Sequence, residues 1–310
     1  MSKDEIKIFC PATIANVSCG FDVLGLALDG VGDEMVVRKT DQRGVSIKKI
    51  TGQDLPLDPQ KNVAGAAVLA LLDAYDGDAG FEIEIDKRIK PGSGIGSSAA
   101  SAAGAVWAVN QLLGNPFTKL QLVAFAMQGE KVASGVAHAD NVAPAIYGGF
   151  TLVRSYHPLD VVALPSPKEL YAIVIHPQIE IKTADSRKVI KANISLEKGI
   201  KQWGNLAGLV AGLFTEDYDL IGRSLEDHII EPIRSILIPG FDDIKAASMA
   251  AGALGCGISG SGPSIFALSK GIDKAQNVAA AMKDTYQKLN VDFDVHVSKI
   301  NVEGIKVIKK

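Results

Sequence analysis

Residues 91–101 read Pro-Gly-Ser-Gly-Ile-Gly-Ser-Ser-Ala-Ala-Ser, a glycine-rich turn between two regular elements. An alternating, strand-like segment, 80–86, precedes it, and the small residues from Ala99 onward predict a helix. Glycines at 92, 94 and 96 allow left-handed backbone and the close approach of a bulky group. Because the free N–H groups and positive dipole end of that helix point into the turn, the segment is typical of a phosphate-binding loop. A turn that only caps the helix is the alternative.

The loop differs from the two commonest phosphate-binding turns. No Gly-Lys-Ser/Thr ends it, as in a Walker loop, and no acidic residue on a second strand follows at the distance of a dinucleotide fold. Ser97 and Ser98 place hydroxyls at the predicted helix start, where they can cap the helix or reach a phosphate-bound metal.

Composition and charge exclude several classes of protein. The 310 residues are 47% hydrophobic and 22% charged, which is ordinary for a globular protein with one large or two medium domains. A net charge of −3 without a long basic run disfavours nucleic-acid and membrane partners. The charged start argues against a signal peptide, and no apolar stretch is long enough to cross a bilayer. Three cysteines without metal-like spacing fit buried thiols in a cytoplasmic protein.

Periodicity and turn signals predict an α+β chain with a boundary near the prolines of 158–167. We expect domains at 1–160 and 161–310. Strands are predicted at 6–10, 34–40, 45–50, 81–86, 150–155, 171–175, 264–268 and 293–300, with 34–40 and 45–50 paired as neighbours across a turn. Helices are predicted at 62–74, 98–113, 118–133, 196–214, 217–223, 241–251 and 272–289. Residues 134–149 are predicted to be a loop.

Three further segments carry candidate functional residues. Asn16 and Asp22 are short polar groups in an otherwise apolar turn, 11–22, either as loop caps or as ligand contacts. Glu130, near a predicted helix end, opposes the helix dipole, and a metal ion would justify it. The loop that follows holds His138, Asp140 and Asn141, without zinc-like spacing; a solvated polar loop is the alternative.

A second glycine-rich turn, Ser-Gly-Ser-Gly-Pro at 259–263, leads into a predicted strand. Two such loops make phosphate or carboxylate recognition more credible than one. Arg187 and Arg234 are candidates for a bidentate carboxylate clamp, although single arginines are mostly surface residues.

Together these segments resemble the GHMP kinase superfamily, the galacto-, homoserine, mevalonate and phosphomevalonate kinases. From Gly94 to Ser98 the central loop corresponds to the end of the pattern Pro-x-x-x-Gly-Leu-Gly-Ser-Ser, with Ile95 in the Leu place, and Pro91 stands one residue nearer to Gly94 than the proline of the pattern does. Within the superfamily the chain is similar to the homoserine kinase family, through segments 11–22, 134–141 and 257–263. One departure is that Ser18 and Cys19 stand where the family pattern Asn-Leu-Gly-Pro-Gly-Phe-Asp has Gly and Pro.

The resemblance implies a fold and an activity. The fold is an N-terminal domain like ribosomal protein S5 domain 2, with a left-handed βαβ crossover, followed by a ferredoxin-like domain. The activity is ATP-dependent, Mg²⁺-dependent phosphorylation of the side-chain hydroxyl of L-homoserine, a step in threonine biosynthesis. A homodimer is also implied.

The resemblance assigns roles to particular residues. For ATP they are Asn62 near the adenine, Lys87 near the nucleotide, and Pro91, Gly92, Ser93, Gly94, Ile95, Gly96, Ser97 and Ser98 around the phosphates. Ser98 and Glu130 are the implied Mg²⁺ ligands. For the amino acid they are Asp22 on the ammonium, Asn16, His138 and Asn141 near the hydroxyl, and Thr183, Arg187 and Arg234 at the carboxylate. With Ser98 and Glu130, Asn141 forms the implied catalytic set.

No acid in these motifs takes the part of a catalytic base, and Asp140 is a weak candidate. We therefore expect direct attack of the hydroxyl on the γ-phosphate, since a loose phosphoryl-transfer transition state needs mainly alignment and charge neutralisation. Two alternatives stay open: a superfamily kinase for a sugar or an isoprenoid alcohol, and a member that binds ligands without catalysis. A nucleic-acid-binding module fits poorly with the net charge.

Overall fold

The computed structural model describes residues 4–179, 181, 183–191 and 193–308, with the side chains of 183 and 184 also outside the description. Eleven strands are found in these residues: β1 (Glu5–Ala15), β2 (Leu24–Thr40), β3 (Gly44–Thr51), β4 (Gly80–Asp86), β5 (Phe150–Tyr156), β6 (Leu159–Leu164), β7 (Leu170–Pro177), β8 (Gly255–Ile258), β9 (Ile265–Lys270), β10 (Phe293–Lys299) and β11 (Lys306–Val307). The same residues form ten α-helices: α1 (Val63–Asp73), α2 (Ser97–Leu112), α3 (Lys119–Ser134), α4 (Val142–Tyr147), α5 (Thr183–Lys188), α6 (Leu196–Thr215), α7 (Tyr218–Ser224), α8 (Glu231–Arg234), α9 (Phe241–Ala250) and α10 (Ile272–Leu289). This mixture confirms the predicted α+β class.

The first sheet has seven strands within the described residues, with the main order β11-β1-β2-β4-β3. β5 joins β2 and carries β6 on its other side. Helices α1, α2 and α3 pack together against this sheet, and the first nine residues of α2 are all Ser, Ala or Gly, so this part of the helix fits into the centre of the core. The phosphate-loop candidate therefore stands at the start of a helix that is buried in the core.

The prediction that strands 34–40 and 45–50 pair as neighbours was wrong. β4 lies between them, antiparallel to β2 and parallel to β3. The turn at 41–43 exists, but the helix α1 crossover brings β4 into the gap, and its Phe81, Ile83 and Ile85 side chains are buried there.

Other elements differ from expectation in extent. β1 continues through Pro11 to Ala15, with a register irregularity against β2 between Pro11 and Thr13 that accommodates the proline. The predicted loop 134–149 contains the short helix α4, whose side chains are almost all buried. The segment 158–167 contains β6.

The second sheet has four antiparallel strands in the order β10-β7-β9-β8, and α9 and α10 form a separate core with it. The predicted boundary between 160 and 161 falls within β6, which is paired to β5 of the first sheet. After β10 the chain returns to the first sheet, where β11 pairs with β1. A division into two domains stays a prediction.

The three cysteines are free and buried, as expected. In the part of the chain that the structure describes, no helix has the length and apolar character needed to cross a membrane.

Candidate active site

The glycine-rich loop is folded as the sequence predicts. Gly92, Gly94 and Gly96 have φ of 73°, 83° and 71°, the left-handed region that favours glycine. No side-chain hydrogen bond caps α2, so the N–H groups of its first turn are available to a ligand. A Cβ at Gly96 would lie 2.0 Å from Oγ1 of Thr13, so only glycine fits.

The loop borders a cavity of about 500 Å³, large enough for a nucleotide and a small second ligand. It combines a glycine-rich rim with ionisable groups from both halves of the chain. Its lining includes Asn16, Asp22, Lys87, Pro91, Gly92, Gly94, Gly96, Ser97, Ser98, Glu130, His138, Asp140, Asn141, Arg187 and Arg234.

Lys87 is held within the fold behind the loop. Its ammonium group donates to a carboxylate oxygen of Asp33 at 2.5 Å, to the carbonyl of Ser97 at 2.5 Å and to Oγ of Ser101 at 3.0 Å. The other Asp33 oxygen accepts from the backbone N–H groups of residues 88 and 89. Lys87 thus ties the end of β4 to the start of α2, and a direct nucleotide contact by its ammonium stays a prediction.

The second glycine-rich turn lies against the first. Oγ of Ser259 donates to the carbonyl of Gly94 at 2.7 Å, and Oγ of Ser264 donates to that of Ser93 at 2.6 Å. A Cβ on Gly94 would lie 2.6 Å from the carbonyl oxygen of Gly262. The second turn therefore supports the phosphate loop from behind.

Near the N-terminus of α2, the side chains of Ser98 and Glu130 are joined by a hydrogen bond. Burial raises the pKa of Glu130 to about 7, opposed by a hydrogen bond from Ser98 and the charge of Lys87. Oε1 of Glu130 is buried without a hydrogen-bond partner among the described residues. A buried carboxylate oxygen with a free lone pair beside a hydroxyl fits a hard cation such as Mg²⁺. Clusters of three or more His, Cys, Asp or Glu side chains that suit a metal are absent from the described residues, so phosphate oxygens would complete such a site.

Three side chains of the loop, at residues 93, 95 and 97, are held within the fold. Oγ of Ser97 donates to the carbonyl of Ile89 at 2.8 Å and is committed to the fold. Ser93 and Ile95 are buried, and Ile95 belongs to the main hydrophobic core. A contact of Ser93 or Ile95 with the ATP phosphates would be made through the backbone and stays a prediction.

Asn62 is the N-cap of α1. Its Oδ1 accepts from the N–H groups of Ala64 and Gly65, and its Nδ2 donates to the carbonyl of Pro56. The side chain is therefore fully engaged in the protein. The neighbouring residues Lys61 and Val63 line the cavity instead.

The opposite end of the cavity is built by the turn after β1. Asn16, Val17 and Ser18 have φ of 72°, 41° and 62°, three successive residues in a region disfavoured for non-glycine residues. Asn16 holds the turn, since its Oδ1 accepts from the N–H of Asp22 and its Nδ2 donates to the carbonyl of Gly260. Asn16 therefore caps the turn, one of its two expected roles, and it also lines the cavity, where a contact with a ligand stays a prediction.

Three charged side chains, Asp22, Arg187 and Arg234, lie together at this end of the cavity. Arg187 donates to Oδ1 of Asp22 at 2.6 Å and lies 3.4 Å from Nδ1 of His138. Arg234 donates to the carbonyl oxygens of Ser186 and Gly260. The two guanidinium groups lie over the Phe21 ring, 5.4 and 5.1 Å from its centroid, which keeps two like charges close together.

Burial and the neighbouring positive charges lower the pKa values of two groups at this end of the cavity, Arg234 and His138. Burial and the neighbouring Arg187 lower the pKa of Arg234 to about 10, still high enough to keep its charge at neutral pH. Burial and then Arg187 also lower the pKa of His138, whose buried Nε2 has no hydrogen-bond partner among the described residues. A neutral imidazole with a free nitrogen is available to a ligand hydroxyl.

Asn141 and Asp140 complete the cavity. Oδ1 of Asn141 accepts from Oγ1 of Thr13 at 2.7 Å. Asp140 is buried, which corrects the interpretation of 138–141 as a solvated loop. Its burial, with the charges of Asp22 and Glu130, raises its pKa to about 7.

The structure thus brings most of the predicted residues, from both halves, to one cavity, which Asn62, Ser93 and Ile95 do not line. The side chain of Thr183 lies outside the described residues, and only its backbone position at the start of α5 is known. Sequence reasoning missed the supporting roles of Asp33, Ser259 and Ser264, and the ring of Phe21. Only Phe21 and Ser259 stood in segments singled out from the sequence.

Comparisons with known proteins agree with this geometry. Residues 62–149 match the family described as "GHMP kinases N terminal domain", and 209–288 match "GHMP kinases C terminal". A homoserine kinase of Chloroherpeton thalassium is 48% identical over 98% of this chain and 99% of its own length. One from Chlorobium phaeobacteroides is 48% identical over 97% and 98%. The crystal structure of homoserine kinase from Cytophaga hutchinsonii superimposes with a TM-score of 0.95 at 55% identity, covering 99% of this chain and 98% of that one.

Proposed function

This chain belongs to the GHMP kinase family, and on that premise we propose that it transfers the γ-phosphoryl group of ATP to the side-chain hydroxyl of L-homoserine. The assignment of the substrate rests on Asp22, Arg187 and Arg234, which lie in the same cavity as the phosphate loop. An amino-acid zwitterion offers one ammonium and one carboxylate. It replaces the Asp22–Arg187 ion pair charge for charge, with the ammonium on Asp22 and the carboxylate on the arginines. A sugar or an isoprenoid alcohol has no such pair of charges.

The loop side of the cavity binds the ATP phosphates. Backbone N–H groups at the start of α2 and the positive end of its dipole face the phosphate oxygens. Lys61, Val63 and Leu55 line the part of the cavity assigned to the nucleoside. Val132 and Ala133 of α3 line it too.

Ser98 and Glu130 would hold Mg²⁺ through hard oxygen atoms. When bound, the cation supplies charge neutralisation for the transferred phosphoryl group. Burial raises the pKa of Glu130 to about 7, and a bound cation would favour its deprotonated form.

The acceptor hydroxyl is positioned by Asn141 and His138, which line the cavity between the arginines and the loop. Thr13 fixes Asn141 through its hydrogen bond to Oδ1, so the Nδ2 group is left to face the ligand. We propose that the hydroxyl attacks the γ-phosphorus directly, with its proton passing late to a phosphate oxygen. The leaving group is ADP.

Asp140 is the residue that tests this mechanism. Its pKa of about 7 lies where a general base is effective, so a base role is the specific competitor. Under direct attack, Asp140→Asn keeps kcat within about tenfold, whereas loss of a general base costs roughly a hundredfold or more. Rapid-quench measurement of the chemical step separates the two.

The function itself is tested by ADP release from ATP and Mg²⁺ with L-homoserine, beside L-threonine, L-serine, mevalonate and galactose. We expect saturable turnover with homoserine. Turnover with mevalonate or galactose alone would overturn the substrate assignment and keep the kinase. No turnover with any acceptor would favour a ligand-binding protein. A homodimer, which the resemblance implies, stays a prediction here.

A further inference from the structure

Tyr156, the last residue of β5, carries a hydroxyl that bonds to two segments of the candidate active site. The hydroxyl donates to the backbone carbonyl of Asp22 at 2.8 Å and accepts from the backbone N–H of Ala139 at 3.4 Å. Asp22 follows the strained turn after β1, and Ala139 lies between His138 and Asp140. The Tyr156 side chain does not line the cavity, so any influence that it has on a ligand is indirect.

An extra residue in β5 directs Tyr156 toward these segments. Val153 pairs with Val161 and Ser155 with Asp160, so β5 has one residue more than β6 over this stretch. Because side chains alternate between the two faces of a regular strand, one inserted residue brings positions three apart to the same face. Val153 and Tyr156 accordingly both pack against the main hydrophobic core. In a regular strand they would point to opposite faces.

The backbone of Asp22 is held on both sides. Its φ is 60°, in the left-handed region that is disfavoured for residues with a Cβ. Its N–H donates to Oδ1 of Asn16 at 3.0 Å, and its carbonyl accepts from Tyr156. An unfavourable conformation persists only where its surroundings impose it. These two hydrogen bonds therefore fix the direction of the Asp22 carboxylate, whose Oδ1 accepts from Arg187 at 2.6 Å.

The Tyr156 hydroxyl keeps its proton. Burial and, after it, the charge of Asp140 raise the pKa of Tyr156 well above the usual range of a phenol. A protonated hydroxyl can donate one hydrogen bond and accept another at the same time. Tyr156 therefore remains a donor to Asp22 and an acceptor from Ala139 throughout the neutral pH range.

We propose that Tyr156 is a positioning residue of the acceptor site. The inference rests on the proposed function, in which Asp22 binds the ammonium group of homoserine and the segment 138–141 holds its hydroxyl. The Tyr156 hydroxyl joins these two parts of the site and so fixes the distance between them. That distance has to match the length of the homoserine side chain if the acceptor hydroxyl is to reach the γ-phosphate in line.

Steady-state kinetics of Tyr156→Phe with each substrate varied in turn tests this role. The substitution removes the hydroxyl and leaves the ring in the core. The KM for homoserine is expected to rise about tenfold, while the KM for ATP stays within about twofold of the wild-type value. Wild-type kinetics, or equal increases in both KM values, would overturn the proposal.

Tyr147→Phe is the matched control. It removes the hydroxyl of another half-buried tyrosine, at the end of α4, which makes no hydrogen bond with the described residues. Both KM values of this variant should equal those of the wild type. A rise in the KM for homoserine as large as that of Tyr156→Phe would show a general effect of losing a hydroxyl and contradict the proposal.

A double-mutant cycle shows whether Tyr156 acts through Asp22. Asp22→Ala removes the carboxylate and keeps the backbone carbonyl. In that background Tyr156→Phe should raise the KM for homoserine no more than about threefold, because the group that it positions is gone. An increase as large as in the wild-type background would contradict an action through Asp22.

Hydrogen exchange of the ligand-free protein tests the connection without any substrate. Peptides that cover 20–24 and 138–141 should exchange about tenfold faster in Tyr156→Phe than in the wild type, with the loop 92–98 unchanged. Unchanged exchange in both segments overturns the inference. If the wild-type chain does not turn over homoserine, the proposed function fails, and the exchange rates alone decide whether the hydroxyl joins the two segments.

Discussion

The ammonium group of Lys87 lies 2.5 Å from a carboxylate oxygen of Asp33, and both side chains are buried. The pair connects β2, β4 and the first turn of α2, because Lys87 also donates to the carbonyl of Ser97. The position of the phosphate loop therefore depends on a buried salt bridge behind it.

Lys87→Met should reveal this dependence. It leaves the Asp33 carboxylate buried without its cation and is expected to cost about 3–5 kcal/mol of unfolding free energy. The double variant Asp33→Asn, Lys87→Met removes both charges and should lose less than Lys87→Met alone. Urea denaturation measures both. A double variant that is the less stable of the two would mean that the pair matters through its hydrogen bonds rather than its charge.

Ser97 and Ser98, at the start of α2, should differ in how much their substitution lowers the rate. Ser98→Ala and Glu130→Gln are expected to lower kcat roughly 100-fold and to raise the Mg²⁺ concentration needed for half-maximal rate. Ser97→Ala loses one hydrogen bond to Ile89 and should be milder. Magnesium titrations of initial rate provide the measurement. The reverse order of the serines would shift the ligand by one residue.

Arg234→Leu should impair the amino acid more than the nucleotide. Removing one of two carboxylate partners is expected to raise KM for homoserine tenfold or more, with KM for ATP nearly unchanged. Arg223→Leu, on an exposed position of α7, is the control. Equal changes in both KM values would argue that Arg234 supports the fold through Ser186 and Gly260 instead.

Ser18→Gly should stabilise the protein. Ser18 has φ of 62°, and its buried Oγ has no hydrogen-bond partner among the described residues. Glycine relieves both the backbone strain and the unsatisfied hydroxyl, and the expected gain is about 1 kcal/mol. Thermal unfolding compares the two proteins. A lower melting temperature in the glycine variant would show that the hydroxyl has a partner in solution.

Asp140 should make the ligand-free protein less stable as pH rises. Its pKa is raised from 3.8 to about 7, so the folded state holds one more proton than the unfolded state between these values. Stability from this group is therefore lost as pH rises from about 4 to about 7 and is constant above. Asp140→Asn should reduce that decline in unfolding free energy measured at pH 5, 6, 7 and 8 without abolishing it, because Glu130, whose pKa is also raised to about 7, contributes a decline of the same sign. An unchanged slope would assign the decline to other groups.

The ends of helices were predictable where the residues that fix them lie close together in the sequence. The N-terminus of α3 follows from Thr118 and Gln121, which form a capping box, and α10 begins and ends where its periodicity does. The order of β2, β4 and β3 was not predictable, because the turn between 40 and 44 says nothing about a third strand entering from 80 onward. Likewise α4 is short and held by burial rather than by helix propensity.

By itself the sequence determined the conformations set by residue type: glycines at 92, 94 and 96 in left-handed backbone, and a helix of small residues after them. It also determined which charged residues were available for an amino acid and a phosphate. The tertiary structure alone decided which of them meet. Ser259 reaches Gly94, and Arg187 reaches Asp22, across 165 residues in each case. Such contacts depend on which surfaces are buried against each other, and burial is a property of the whole chain rather than of a segment.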